Sequence, residues 1–359
     1  MIFFILFIAP HYDSGFSKAL HVGLLFALGC TVFTVFNVPY SSMVAEMTDN
    51  YNERMSITSF RMIGSSIGVL LAGGLAMPLV DMGGGGEAGF RFMGIIFGVA
   101  ITIFCLICFR ATRTARTLPA SDKMPPIVEQ IKVAFRNTPF KMLILMYIFQ
   151  SLAMGVLMAG LIFYIKYVMG LPETAMGIVF PILTVTAILF IPLWVKIGVK
   201  FGKIKSYTIG LCILSIMLFS LFFTQPSQLN LFYFQVFLLG IGFSSFQLFP
   251  FSMLPDTIEF DELQSGLRRE GVFSGIWASG QKTAYSVGPS IVGFALSLSG
   301  FEAADVLQPE SVATGIRVVF CIFTSAMVIL SLIPFFKYDL TEEKFESIKQ
   351  MIKQKGKAS

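Results

Sequence analysis

The sequence predicts an all-α polytopic membrane protein built as two helical bundles, the first of them incomplete. Three observations carry this. Hydrophobic residues make up 55% of the 359 residues and charged ones 13%, against about 25% charged in a soluble domain. Mean hydropathy is +0.78, and 39 Phe and 19 Met exclude a disordered chain. The apolar residues also fall into runs of about 20, the length that crosses the hydrocarbon of a bilayer as a helix.

Nine runs read as complete spans: 20–45, 62–80, 92–110, 139–166, 174–195, 206–224, 230–254, 271–300 and 315–336. Residues 1–9, MIFFILFIA, are too short to cross and read as the tail of another span. They lack the basic start and small-residue cleavage site of a signal peptide. Most of the 26 Lys and Arg fall in 46–61, 110–138, 196–205, 255–270 and the C-terminal tail, while the opposite side holds Lys18, Arg91, Lys166 and Arg317. Cytoplasmic loops are enriched in cations, so the first set, with the C-terminus, is expected in the cytoplasm of a plasma (inner) membrane protein. The segment 111–138 carries Arg113, Arg116, Pro119, Pro125 and Pro126 and reads as a linker. It divides the chain into a partial bundle, 1–110, a six-helix bundle, 139–336, and a tail, 337–359.

The chain repeats itself. Residues 39–53, PYSSMVAEMTDNYNE, match 250–262, PFSMLPDTIEFDE, with Pro39/Pro250, Ser41/Ser252, Met43/Met253, Glu46/Asp256 and Glu53/Glu262 in register once two gaps are allowed. Both segments end a span on the same side and precede another. The offset is six spans, so a parallel repeat of six plus six is expected, with about two and a half spans missing before the first copy.

Two long segments carry a family resemblance. NVPYSSMVAEMTDNYNERMSITSFRM (37–62) and LPDTIEFDELQSGLRREGVFSGIWASGQKTAYSVG (254–288) resemble the signatures of the glycoside–pentoside–hexuronide:cation symporters, the melibiose-permease-like branch of the major facilitator superfamily. GVKFGKIK (198–205) resembles the short basic loop of that superfamily. The resemblance runs from residue 1 to about 340 and implies the major facilitator fold, with about nine to ten of twelve spans present. It implies a secondary active transporter working by alternating access, coupling Na⁺, H⁺ or Li⁺ to uptake of a sugar, glycoside or hexuronide. Two alternatives stay open: a lysolipid or other solute of the same family, and a transporter-like fragment that lacks the cation site and is inactive.

Lys282 is the strongest single signal. It lies deep in a span, where a Lys is costly unless it faces a cavity or an acidic partner, or snorkels to the surface. The resemblance places it at the substrate and cation region. Thr34, Asn37 and Ser41 are spaced i, i+3, i+7, on one helical face; they line a cavity or hydrogen-bond to another helix. By resemblance, Thr34 and Asn37 take part in cation binding, and Asn37 and Ser41 replace an Asp and a Trp of sugar-transporting relatives. Arg61 matches a substrate-facing Arg; its planar fork of donors suits hydroxyls or a carboxylate, and an interface anchor is the plainer reading. Trp277, Gln281 and Tyr285 form an i, i+4, i+8 stripe beside Lys282, either holding a sugar ring or packing. Gln247 and Gln150 complete the substrate-binding candidates.

The charges after each repeat copy read as a solvated loop or as an inner gate of ion pairs, with Glu46, Arg54, Asp256, Arg268 and Glu270 as its members. By resemblance, Asp256 and Arg268 belong to such a lock. The plainer motifs carry no chemistry. Gly83–Gly86 lacks a following Gly-Lys-Ser/Thr and reads as a turn. Cys30, Cys105, Cys108, Cys212 and Cys321 lie in apolar runs, the Cys105/Cys108 pair included, and read as packing residues, not disulfides or ligands. His11 and His21 are the only histidines, which disfavours a membrane-embedded enzyme. No cofactor or metal is expected beyond the coupling cation, and the expected partners are a small-molecule substrate, lipid and no nucleic acid, with the chain a monomer.

Overall fold

The computed structural model describes residues 15–48, 50–115, 125–302 and 308–358. Among them there is no strand. The helices are α1 (Gly15–Met47), α2 (Tyr51–Met82), α3 (Gly86–Thr112), α4 (Ile127–Arg136), α5 (Thr138–Phe163), α6 (Met176–Phe201), α7 (Lys203–Leu221), α8 (Leu229–Ser265), α9 (Glu270–Leu298), α10 (Glu310–Phe335) and α11 (Glu342–Ala358). All nine expected spans fall on long helices, and α4 and α11 are added at the linker and the tail. Eight of the helices are long and apolar enough to cross a membrane. The ninth, α9, is diluted by Gly, Ser and Lys282, the composition of a helix that meets other things besides lipid. The apolar run 1–9 lies outside the described residues.

The two repeat copies differ in one respect. After α1 the chain breaks at 48–50 and α2 starts afresh, because Asn50 is an N-cap: its Oδ1 accepts from the backbone N–H of Asn52 at 2.9 Å and of Glu53 at 3.0 Å. Thr48 reinforces it by accepting from Asn50 N–H at 3.1 Å and donating to Glu53. The second copy has no such cap, and α8 runs unbroken through it to Ser265, where Gly266 (φ 69°) ends the helix in the left-handed region.

Contacts divide the chain into two units, residues 1–47 with 67–119, and residues 48–66 with 120–359. In the first, the Gly83–Gly86 run joins α2 to α3 as a tight turn, with φ of 91°, 71° and 51° at Gly84, Gly85 and Gly86. Most apolar side chains of α1 and α3 are exposed, a surface suited to hydrocarbon and not to water. The second unit takes in the first half of α2, which sequence reasoning assigned to the partial bundle.

In the second unit α5 packs against α9 and α10, and α8 against α6 and α7. Buried polar side chains stitch these spans together: Gln150 donates to Ser331 at 3.0 Å and accepts from Tyr207, Ser215 and Ser325 meet at 2.7 Å, and Thr224 donates to Gln235 at 2.8 Å. Such bonds matter in lipid, where no water replaces a lost partner. The closest crossing is α5 on α9, where the backbones meet at two glycines. A Cβ on Gly288 would run into the backbone of Gly155 and Val156, and one on Gly155 into Tyr285. Gly275, on the same α9, would point a Cβ into open space.

The same substitution at these two positions should therefore give opposite results. Gly288→Ala is expected to lose on the order of 1–3 kcal/mol through overpacking, and Gly275→Ala to be neutral or to gain up to about 1 kcal/mol through helix propensity. Thermal unfolding of the purified variants in detergent measures both.

Candidate functional site

Two groups of residues in the second unit have the character of a site. The first lies at the linker end of the spans. The cap at Asn50 starts α2 so that its first turn carries Arg54 inward, where it is 0% exposed. Its Nη1 donates to Asp256 Oδ1 at 3.2 Å, its Nη2 to Glu259, and its Nε to the carbonyl of Thr48 at 3.2 Å. Asp256 uses its other oxygen to accept from Lys203 Nζ at 2.8 Å; that ammonium also donates to the carbonyl of Ser252 at 3.0 Å. Two rings close the group. Lys203 Nζ lies 3.5 Å from the centroid of Tyr51 and the Arg54 guanidinium 5.2 Å from that of Phe345. Asn52 then ties α2 to α11 by donating to Glu342 Oε1 at 2.7 Å.

The cluster holds two cations and two carboxylates, all but dry, and joins residues before the linker to residues after it. Buried charges are tolerated only when paired and hydrogen-bonded, since the desolvation cost must be offset locally. Here every charged group has at least one opposite partner, and Arg54 and Lys203 each donate to one carbonyl besides.

Beyond it, at the end of α8, run two further pairs. Arg269 grips Asp261 with two bonds, 2.9 and 3.0 Å. Arg268 donates to Glu262 at 2.6 Å and to Glu270 at 2.5 Å. Burial works against its charge, but Glu270 and Glu262 more than offset this and hold the Arg268 guanidinium above its ordinary range. Asp256 and Arg268 do not pair directly: Asp256 is held by Arg54 and Lys203, Arg268 by Glu262 and Glu270, and Glu259 acts electrostatically on both Arg54 and Arg268. Glu46 is half-buried near the end of α1, in the other unit. Asp49 lies outside the described residues.

The second group lies further along the spans. The Arg61 guanidinium stands 5.3 Å above the ring of Phe251. Phe251 meets Trp277 edge-on at 5.9 Å, and Trp277 stacks on Tyr147 at 4.0 Å and 11°. Close by in sequence, Gln247 accepts from Ser66 Oγ at 2.9 Å. The guanidinium and the amide are the polar members of an otherwise aromatic wall.

The remaining candidates fall in different settings. Trp277 is 2% exposed, its face covered by Tyr147, so the i, i+4, i+8 stripe runs from a packed ring through half-exposed Gln281 to Tyr285, which is 41% exposed. Lys282 is exposed beside them. Gln150 is sealed in the seam between α5, α7 and α10 by Tyr207 and Ser331. Thr34, Asn37 and Ser41 belong to the first unit, and the Thr34 hydroxyl donates to the carbonyl of Cys30 at 2.7 Å. Among the described residues no group of three His, Cys, Asp or Glu could hold a metal ion, and all five cysteines are free.

Sequence reasoning did not single out Lys203, Glu259, Tyr51, Phe251, Phe345 or Tyr147 as site residues. Lys203 sat in the basic loop motif just before an expected span. Phe345 and Tyr147 carried no signal, since aromatic residues are everywhere in this chain.

The sequence of the family described as MFS/sugar transport protein matches residues 1–342. The putative glycoside/cation symporter YagG of Escherichia coli is 24% identical over 366 residues, covering 99% of this chain and 78% of that protein. The glucuronide carrier protein homolog of the same organism is 24% identical over 320 residues, 88% of this chain and 69% of that one. Among solved structures, a bacterial homologue of the iron transporter ferroportin, crystallised in an outward-facing state, superposes with a TM-score of 0.65 at 16% identity, over 94% of this chain and 80% of that one. That likeness shows the fold, an all-α polytopic arrangement of the major facilitator type. With its match over residues 1–342, this chain belongs to the MFS/sugar transport protein family.

Proposed function

We propose that this transporter is a cation-coupled symporter for a sugar, glycoside or hexuronide, working by alternating access at the plasma membrane. The observation that carries the mechanism is the sealed cluster of Arg54, Asp256, Glu259 and Lys203. It ties the chain before the linker to the chain after it at the end of the spans that charge asymmetry puts in the cytoplasm. Ion pairs suit a gate because they are strong when dry and lose most of their strength once water enters. The cluster is thus a closed inner barrier, and its hydration opens the path inward.

Arg61, above Phe251, supplies a planar fork of donors to hydroxyls or a carboxylate of the solute. Gln247 adds an amide that can donate and accept at once. Gln281, Lys282 and Tyr285 present further polar groups from α9. Thr34 and Asn37 offer oxygens of the kind a Na⁺ ion takes, the cation favouring the state that binds the solute. The relatives named glycoside/cation symporter and glucuronide carrier homolog support this substrate class.

Uptake of radiolabelled sugars and hexuronates into proteoliposomes, under Na⁺, Li⁺ or H⁺ gradients in turn, tests the proposal; no gradient-driven uptake of any of them would refute it. Arg61→Ala is expected to lower uptake at least tenfold while the protein elutes as wild type. For the gate, Arg54→Ala takes the guanidinium from buried Glu259 and leaves Asp256 with Lys203 alone, and should cost on the order of 3–5 kcal/mol of stability. Losing the exposed Lys166–Glu173 pair should cost no more than about 1 kcal/mol, and thermal unfolding of the two variants compares them.

A further inference from the structure

One cavity is not part of either group. It is a groove of about 790 Å³ in the second unit, open on one side. Ile144, Ile148 and Leu152 of α5 form one wall, and residues from Gly271 to Val287 of α9 the other; Ile127, Ile131 and Phe135 of α4 close its linker end. Only Ser279 and Thr283 interrupt the apolar lining. Gly271 and Gly275 form part of the floor, and a Cβ at either would meet nothing within 4 Å.

Length and charge say what fits. Sixteen residues of α9 separate the two ends of the lining, about 24 Å of helix. One leaflet contributes about half of the ~30 Å hydrocarbon layer, so the groove accommodates an extended acyl chain along its whole length. The mouth at α4 is basic. This helix reads IVEQIKVAFR: Ile127, Ile131 and Phe135 turn to the groove, while Lys132 and Arg136, one position further round, are exposed. Lys141, in the first turn of α5, is exposed as well. The acids near the mouth are the exposed Glu129 and the half-buried Glu270, and Glu270 is already bonded to Arg268. An amphipathic helix with cations on its polar face lies in the headgroup layer and attracts anionic lipid.

We propose that the groove between α5 and α9 is a binding site for an anionic phospholipid, its acyl chain along Ile144, Ile148, Gly275 and Ser279 and its phosphate at Lys132, Arg136 and Lys141. The site is separate from the solute path through Arg61 and from the ion cluster at Arg54. It makes α4, part of the linker between bundles, a lipid-anchored element.

Native mass spectrometry of the full chain, released from detergent after exposure to dioleoyl-phosphatidylglycerol or dioleoyl-phosphatidylcholine, tests the site. Retention of phosphatidylglycerol is expected to exceed that of phosphatidylcholine by about fivefold or more, given three cations at the mouth. The combined change Lys132→Gln, Arg136→Gln, Lys141→Gln should bring the two lipids to equal retention. Gly275→Leu, which fills open space, should lower retention of both. Equal retention by the wild type, a preference that survives the triple change, or wild-type retention in Gly275→Leu would each overturn the proposal. All three charge positions are exposed, so that variant decides the matter alone if Gly275→Leu fails to give a monodisperse protein.

Discussion

The dry pairing of Arg54 with Asp256 and Glu259, shared with Lys203, is the constraint on which the linker end of the second unit depends. Four charges cannot leave water singly, so the elements that carry them must arrive together. The cap at Asn50 points the first turn of α2 inward. The unbroken helix through the second repeat copy keeps Asp256 and Glu259 one turn apart on one face, and the start of α7 at Lys203 brings the last cation. The tail helix α11 then lays Phe345 over the guanidinium and excludes water from that side. Each local choice is ordinary; their agreement at one point is what seals the four charges from water.

Helix α9 shows how one span divides its surface between unlike neighbours. Gly288 lets it touch the backbone of α5, Trp277 packs into the aromatic wall, and Gln281, Lys282 and Tyr285 stay accessible. Gly271 and Gly275 leave a furrow. The Gly, Ser and Lys282 that serve this division keep the hydropathy of α9 below that of the other eight helices.

The spans were legible in the sequence because hydrocarbon imposes a length and a composition on every helix that crosses it. The chemistry-bearing types were legible too: a Lys inside a span and an Arg at its edge are expensive, and so they stand out. Partner choice was not. Nothing in the spacing of Asp256 and Arg268 says which partner each would find, and nothing in the basic loop motif marks Lys203 as the buried cation.

What the sequence determined by itself, then, is the class of protein, the placement of its helices and the short set of polar residues that have to be satisfied. Tertiary structure decided which of them satisfy one another. Arg54 and Asp256 are 202 residues apart, and such pairings depend on how helices cross, which close contacts like Gly155 on Gly288 set and which no periodicity along the chain records. The same crossings turned Gln150 from a cavity candidate into a seam residue and Trp277 from a platform into a packed ring. They also opened the apolar furrow at Gly271 and Gly275, where sequence shows only two small residues a turn apart.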